Sequence, residues 1–299
     1  MRNYITTFCL LICGAITAQN LNGDLQSRIE NLIRDFHGQV GIYVKDLQGN
    51  RCAAVNADSI FPTASIVKIP IMIGIMKRIQ LHQLEFHQNF VYQDTMRYDP
   101  GEDMLASFKP GEKIQLSKLL LLSISLSDNT ASLMLQRIAG GGHWINQLMD
   151  SLGYNYTKVN SRTTGREIER ERYGWGQTTP REIVRIMEQI VKGKMLDPAS
   201  SDRMLRTLGR QYWDEEAISQ IPPDIFVASK SGALDQCRNE ILYVNARHPF
   251  IFSIFTKNNS DSSWEYSNEA WVLTRKLSSL LFKYFNPGIR YEAAEVSKK

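Results

Sequence analysis

Strand-like patterns fall at the two ends of this 299-residue chain, and that distribution constrains its fold more than any single motif. Val40, Ile42 and Val44 alternate as in a half-buried strand, and Gln48-Gly49-Asn50 supplies a turn into a second strand near residues 51–56. Strand patterns return at 225–231, 240–246 and 250–256. Between about 64 and 210 the periodicity is mostly helical, with loops at 93–112 and 160–180. Two early and three late strands complete one antiparallel sheet only if the chain returns to it after the helical insert. Residues 25–36 and about 265–285 carry one apolar helical face each. The expected architecture is α/β of the α+β type: a five-stranded antiparallel sheet flanked by helices, built from about 22–60 and 211–290, with an all-α part from about 61–210. A cleft between two such parts is a common place for a site.

Composition narrows the function classes. With 43% hydrophobic and 22% charged residues the chain is globular rather than disordered. A net charge of +4, with no run of five basic residues, argues against a nucleic-acid partner. Arg2, the apolar stretch 5–16 and the small Ala18 read as a secretory signal over residues 1–18, which implies a secreted or periplasmic protein with no stable membrane insertion after cleavage. The apolar stretch 66–76 is interrupted by Lys68 and 114–126 is short, so both read as buried helices. Cys9 and Cys13 leave with the signal. No cysteine or histidine spacing suggests a metal site, and no cofactor is expected.

Three short motifs carry candidate chemistry. In Ser65-Ile66-Val67-Lys68 a helix would put hydroxyl and amine on one face, and burial by Ile69, Ile71, Met72, Ile73, Ile75 and Met76 would make Lys68 a usable base. Alone, such a pair arises by chance, and Ser65 could simply cap a helix. Ser127-Asp128-Asn129 alone is ordinary turn or capping chemistry. Lys230-Ser231-Gly232 alone is a strand end with a solvated lysine.

The three together, in this order and 62 and 103 residues apart, resemble the class A serine β-lactamases and their penicillin-recognising relatives. Phe61-Pro62, Tyr98-Asp99-Pro100, Gly140-Gly141, Thr178-Thr179-Pro180 and Ala233 extend the resemblance over nearly all of the mature chain. It implies the β-lactamase/transpeptidase-like fold and a monomeric hydrolase. Ser65 would be the acylated nucleophile, Lys68 its base, and Ser127 the proton relay to the leaving nitrogen. The backbone amides of Ser65 and Ala233 would form the oxyanion hole. Tyr98, Asn129, Lys230, Ser231, Gly232 and Arg238 would bind the substrate, a small-molecule β-lactam or a peptidoglycan-like peptide. The family's sheet order would also put Cys52 and Cys237 near opposite edges, as free thiols.

One departure bears on turnover. Where class A enzymes carry the glutamate that activates the deacylating water, this chain has Thr163, which cannot be a general base near neutral pH. Glu167 is the substitute candidate, with Glu169 and Glu171 beyond it. Slow deacylation is therefore expected. The alternatives are a D-Ala-D-Ala peptidase or esterase, or a penicillin-binding protein without turnover, on the same fold.

Overall fold

A computed structural model describes residues 20–49, 51–98, 101 and 103–293. The export-signal reading of 1–18 and the Asp99-Pro100 part of the cleft rim lie outside them. The elements run β1 (Asn20–Leu21), α1 (Gly23–Ile33), β2 (Gln39–Asp46), β3 (Arg51–Val55), β4 (Phe61–Pro62), α2 (Lys68–Gln80), β5 (Asn89–Val91) and β6 (Lys113–Gln115). They continue with α3 (Leu116–Ser125), α4 (Asn129–Ile138), α5 (Gly141–Ser151), β7 (Lys158–Val159), α6 (Glu167–Tyr173), β8 (Gly176–Thr178), α7 (Pro180–Val191) and α8 (Pro198–Leu208). The late elements are β9 (Val227–Leu234), β10 (Cys237–Val244), β11 (Phe250–Lys257) and α9 (Glu269–Phe285).

The main sheet has the order β1-β3-β2-β11-β10-β9. Its five long strands are antiparallel, as expected, and the two residues of β1 add a parallel edge beside β3. Asp46 closes the first hairpin: its Oδ1 accepts the Gln48 and Gly49 amides at 2.9 and 3.1 Å, and Arg51 Nε donates to its Oδ2 at 2.8 Å. Alternation then sorts the side chains. Ile42, Val44, Phe252 and Ile254 face α1 and α9, together with Leu25, Ile29, Leu273, Leu277 and Leu281. Tyr43, Ile241, Tyr243, Ile251 and Phe255 face the other way, into a larger core shared with α2, α3, α4, α5, α7 and α8.

Several boundaries differ from the sequence reading. Strand β9 runs on through Gly232, Ala233 and Leu234, so Lys230 lies in the middle of the strand and not at its end. Strand β10 starts at Cys237, because Cys237, Arg238 and Asn239 are buried despite two polar side chains. The loop expected at 160–180 contains the short helix α6, which buries none of its residues and so shows no apolar face to sequence reading. The short strands β4, β7 and β8 form a separate three-stranded sheet too brief to show periodicity. Helix α9 begins at Glu269, where Asn268 caps the Ala270 and Trp271 amides. Cys52 and Cys237 are buried and not joined by a disulfide, on strands separated by β2 and β11. Among the described residues no helix is long and apolar enough to cross a membrane.

Candidate active site

Ser65 lies in a 3₁₀ turn, Ala64–Val67, that feeds directly into α2. The turn is anchored from both sides. Asn239 Nδ2 on β10 donates to Pro62 O at 2.8 Å, and the Thr63 amide donates to Gly176 O on β8 at 2.9 Å. Ala64 holds φ at +45°, a left-handed conformation that costs a non-glycine residue of order 1–3 kcal/mol and needs such anchoring. Edge strand β9 passes close against the turn at Gly232. A Cβ there would lie 2.6 Å from Thr63 O and 2.7 Å from Ser65 N. That approach explains why the strand carries glycine where sequence reading saw a strand end. Gly232→Ala is therefore expected to push β9 off the Ser65 turn and slow covalent labelling of Ser65 by ~10²-fold, since misplacement by about 1 Å costs that much; labelling at the parent rate in a pseudo-first-order mass assay would contradict the close packing.

Lys68 opens α2 and is fully buried. Its Nζ lies 3.0 Å from Ser65 Oγ and 3.0 Å from Ser127 Oγ, and donates to Asn129 Oδ1 at 2.8 Å and to the Ser127 carbonyl. Burial first, then repulsion from Lys230, holds this amine well below the usual lysine range, while Asp103 and Asp128 oppose the shift. A neutral amine has two N–H groups and one lone pair. Donating to Asn129 Oδ1 and the Ser127 carbonyl leaves the lone pair for a serine hydroxyl.

Ser127 sits on the three-residue connection between α3 and α4, with φ at +60°. Two buried carboxylates hold this connection. Asp128 caps α4 through the Ala131 amide at 2.7 Å and accepts the Leu105 amide at 2.8 Å. Asp103 accepts the Asn129 and Thr130 amides at 2.8 and 2.9 Å and the Thr130 hydroxyl at 2.6 Å. Negative charge at a helix N-terminus is favourable; burial nonetheless pushes the Asp128 carboxyl upward. Tyr98 is half exposed beside this turn. Its amide donates to Thr130 Oγ1 at 3.0 Å, and its ring meets Trp175 edge-on at 4.8 Å.

Lys230 and Gly232 share the cleft-side face of β9, while Ser231 and Ala233 lie on the alternate face, opposite Glu240 and Arg238. Lys230 is fully buried and donates to Ser231 O at 2.9 Å. Arg238 is buried too, clamped between Trp264 and Trp271 with its guanidinium carbon 4.4 and 4.6 Å from their ring centres. It donates to the Cys237 and Ser263 carbonyls, so the structure does not join it to the Ser65–Lys68–Ser127 cluster.

Nor does the structure bring a carboxylate of 163–171 into that cluster. The Thr163 hydroxyl donates to Ser161 O at 2.9 Å, and the side chain presses on α5, where a Cβ on Gly142 would lie 1.8 Å from its Oγ1. Glu167 is exposed and accepts the Gly165 amide at 3.0 Å; Glu169 pairs with Arg166 at 3.7 Å. Three contributors escaped the sequence reading: Asp103, Asn239 and Glu240. The signal available for Glu240 was polarity inside a strand pattern, whereas Asn239 fell just before the expected strand. Asp103 sat in a loop and gave none.

The sequence pattern of the Beta-lactamase enzyme family matches residues 24–285. The chain is 23% identical over 270 residues to β-lactamase SME-1 of Serratia marcescens, covering 85% of this chain and 89% of that protein. It is 25% identical over 259 residues to a β-lactamase of Streptomyces albus G, covering 80% and 79%. Among solved structures, a mutant of PBP-A in an acyl-enzyme complex with penicillin G superposes with a TM-score of 0.79 at 22% identity, covering 90% of this chain and 98% of that one. The match over most of its length, on a sheet and helical body of the same fold, makes this chain a member of the β-lactamase enzyme family, of the class A serine β-lactamase-like kind.

Proposed function

We propose that the protein is an exported, monomeric serine hydrolase that opens β-lactam amides through an acyl-enzyme on Ser65 and releases the product slowly. One observation carries this reading: the buried Lys68 amine stands 3.0 Å from the hydroxyls of both Ser65 and Ser127. Neutral Lys68 takes the Ser65 proton as Oγ bonds to the lactam carbonyl carbon. The amides of Ser65 and Ala233 receive the oxyanion. The C–N bond then breaks, and Ser127 passes its proton to the departing nitrogen while Lys68 reprotonates Ser127. Lys230 holds the substrate carboxylate, Asn129 the substrate's side-chain amide, and Tyr98 forms one wall, whereas Ser231 faces away from the cleft beside Glu240. Gly232 lets β9 come close enough for both binding and oxyanion stabilisation. Arg238 stiffens the strand behind Ala233 rather than touching substrate.

Slow release follows from Thr163. A missing general base typically costs ~10²–10⁴ in rate, and Glu167 is committed to its own loop. Glu167→Gln is accordingly expected to change the adduct lifetime by less than ~10-fold, below what a general base supplies. Lengthening by several hundredfold would make Glu167 the base. The absent carboxylate also favours a second reading, a D-Ala-D-Ala peptidase or penicillin-binding protein. Release of D-alanine from a D-Ala-D-Ala peptide, at a rate exceeding penicillin turnover, would select it.

A further inference from the structure

Strand β10 is buried along its whole length, and within it Glu240 precedes the apolar run Ile241–Val244. A carboxylate there is costly unless its charge is matched. Its two oxygens accept the Ser229 hydroxyl at 2.8 Å and the Ala217 amide at 3.0 Å, both neutral donors. Neighbouring cations are committed elsewhere: Arg275 on α9 binds Glu216 at 2.6 Å, and Arg238 binds two carbonyls between two indoles. Lys230 is equally buried, and its ammonium folds back on Ser231 O, the carbonyl of the residue directly across from Glu240. The two charges thus lie on opposite faces of the sheet, with the Ser231 peptide between them.

We propose that Glu240 is the counter-charge that keeps Lys230 cationic, and so sets the pH range over which the cleft holds a carboxylate-bearing substrate. Glu240 is a positioning residue acting through Lys230, and the assignment rests on the acylation at Ser65 proposed above. Burial draws Lys230 down to about 7, against the attraction of Glu240; burial pushes Glu240 up to about 7, against its hydrogen bonds and Lys230. The surrounding charges are Lys68 on α2, with Asp103 and Asp128, on the cleft side, and Glu215, Glu216, Arg275 and Arg238 on the α9 side. Removing the Glu240 charge makes Lys230 release its proton at lower pH. The neutral amine then no longer binds a carboxylate. That weakens the alkaline side of the acylation profile.

The test is the second-order rate of penicillin adduct formation from about pH 5 to about pH 9, across the range where these groups titrate, for the parent protein, Glu240→Gln and Glu240→Asp. Glu240→Gln is expected to move the alkaline limb about one pH unit lower, a ~10-fold loss on that limb with little change on the acid side. Glu240→Asp, which keeps the charge, is expected to restore the parent limb. A limb that stays put, or a loss of equal size at every pH, overturns the proposal. Should the glutamine variant not fold, NMR titration of the Lys230 ammonium and Glu240 carboxyl in the parent protein decides. Each is expected to shift as the other titrates, and independent titration overturns the pairing. A parent protein that forms no adduct fails the acylation reading instead, and the NMR titration still decides the charge pairing.

Discussion

Ser65→Ala is expected to abolish covalent labelling by a penicillin while leaving the fold intact. The expected loss is complete because the Ser65 hydroxyl combines an adjacent buried amine with a turn against which Gly232 of β9 packs. Ser127 shares the amine, at 3.0 Å, but lies on the α3–α4 connection and not in the turn that Gly232 of β9 packs against. The substitution removes one oxygen that holds no carbonyl or carboxylate in place, so thermal unfolding should be unchanged. Intact-mass spectrometry after incubation with excess penicillin checks this. An alanine variant that still gains one penicillin mass would move the nucleophile elsewhere.

Lys68→Met has the second-largest expected effect, a fall of ~10²–10⁴ in acylation rate, the usual contribution of a positioned base. Methionine fills a similar volume and needs no solvation, so burying it relieves the desolvation that depresses the Lys68 amine. Against that, Asn129 Oδ1 and the Ser127 carbonyl lose a donor, at about 1–3 kcal/mol for each buried acceptor left unmet. The variant should therefore fold, with Tm somewhat lowered, and label very slowly. Labelling within ~10-fold of the parent rate at neutral pH would show that Lys68 orients Ser65 without taking its proton.

The sheet was legible because alternation at Val40, Ile42 and Val44 and the short apolar runs of the late strands mark strands, but the expected half-buried strand is buried on both faces, with Tyr43 in the second core. Return of the chain to that sheet followed from strand economy alone. The Ser65–Lys68 pair was legible because a three-residue spacing fixes a shared face even though the residues lie across a 3₁₀-to-α junction. What escaped was long-range. Asp103 approaches the Ser127 connection from a loop 24 residues earlier, and nothing local marks such a partner. Lys230 looked terminal because Gly232 usually weakens a strand, whereas here it permits contact with the Ser65 turn. Arg238 looked available to a ligand, but the indoles of Trp264 and Trp271, brought together only by the fold, enclose it. The cost of a buried carboxylate at Glu240 becomes visible only once β10 is known to be interior.

Every role assigned to the cleft depends on Ser65 attacking a β-lactam carbonyl and keeping it. The most direct measurement is a time course of intact mass and proteolytic peptide mass for the parent protein with a penicillin. Acylation requires a gain of one whole penicillin mass, because ring opening expels nothing, localised to the peptide carrying Ser65 and persisting after free penicillin is removed. An unmodified protein alongside intact penicillin, or an adduct on a peptide without Ser65, would contradict it.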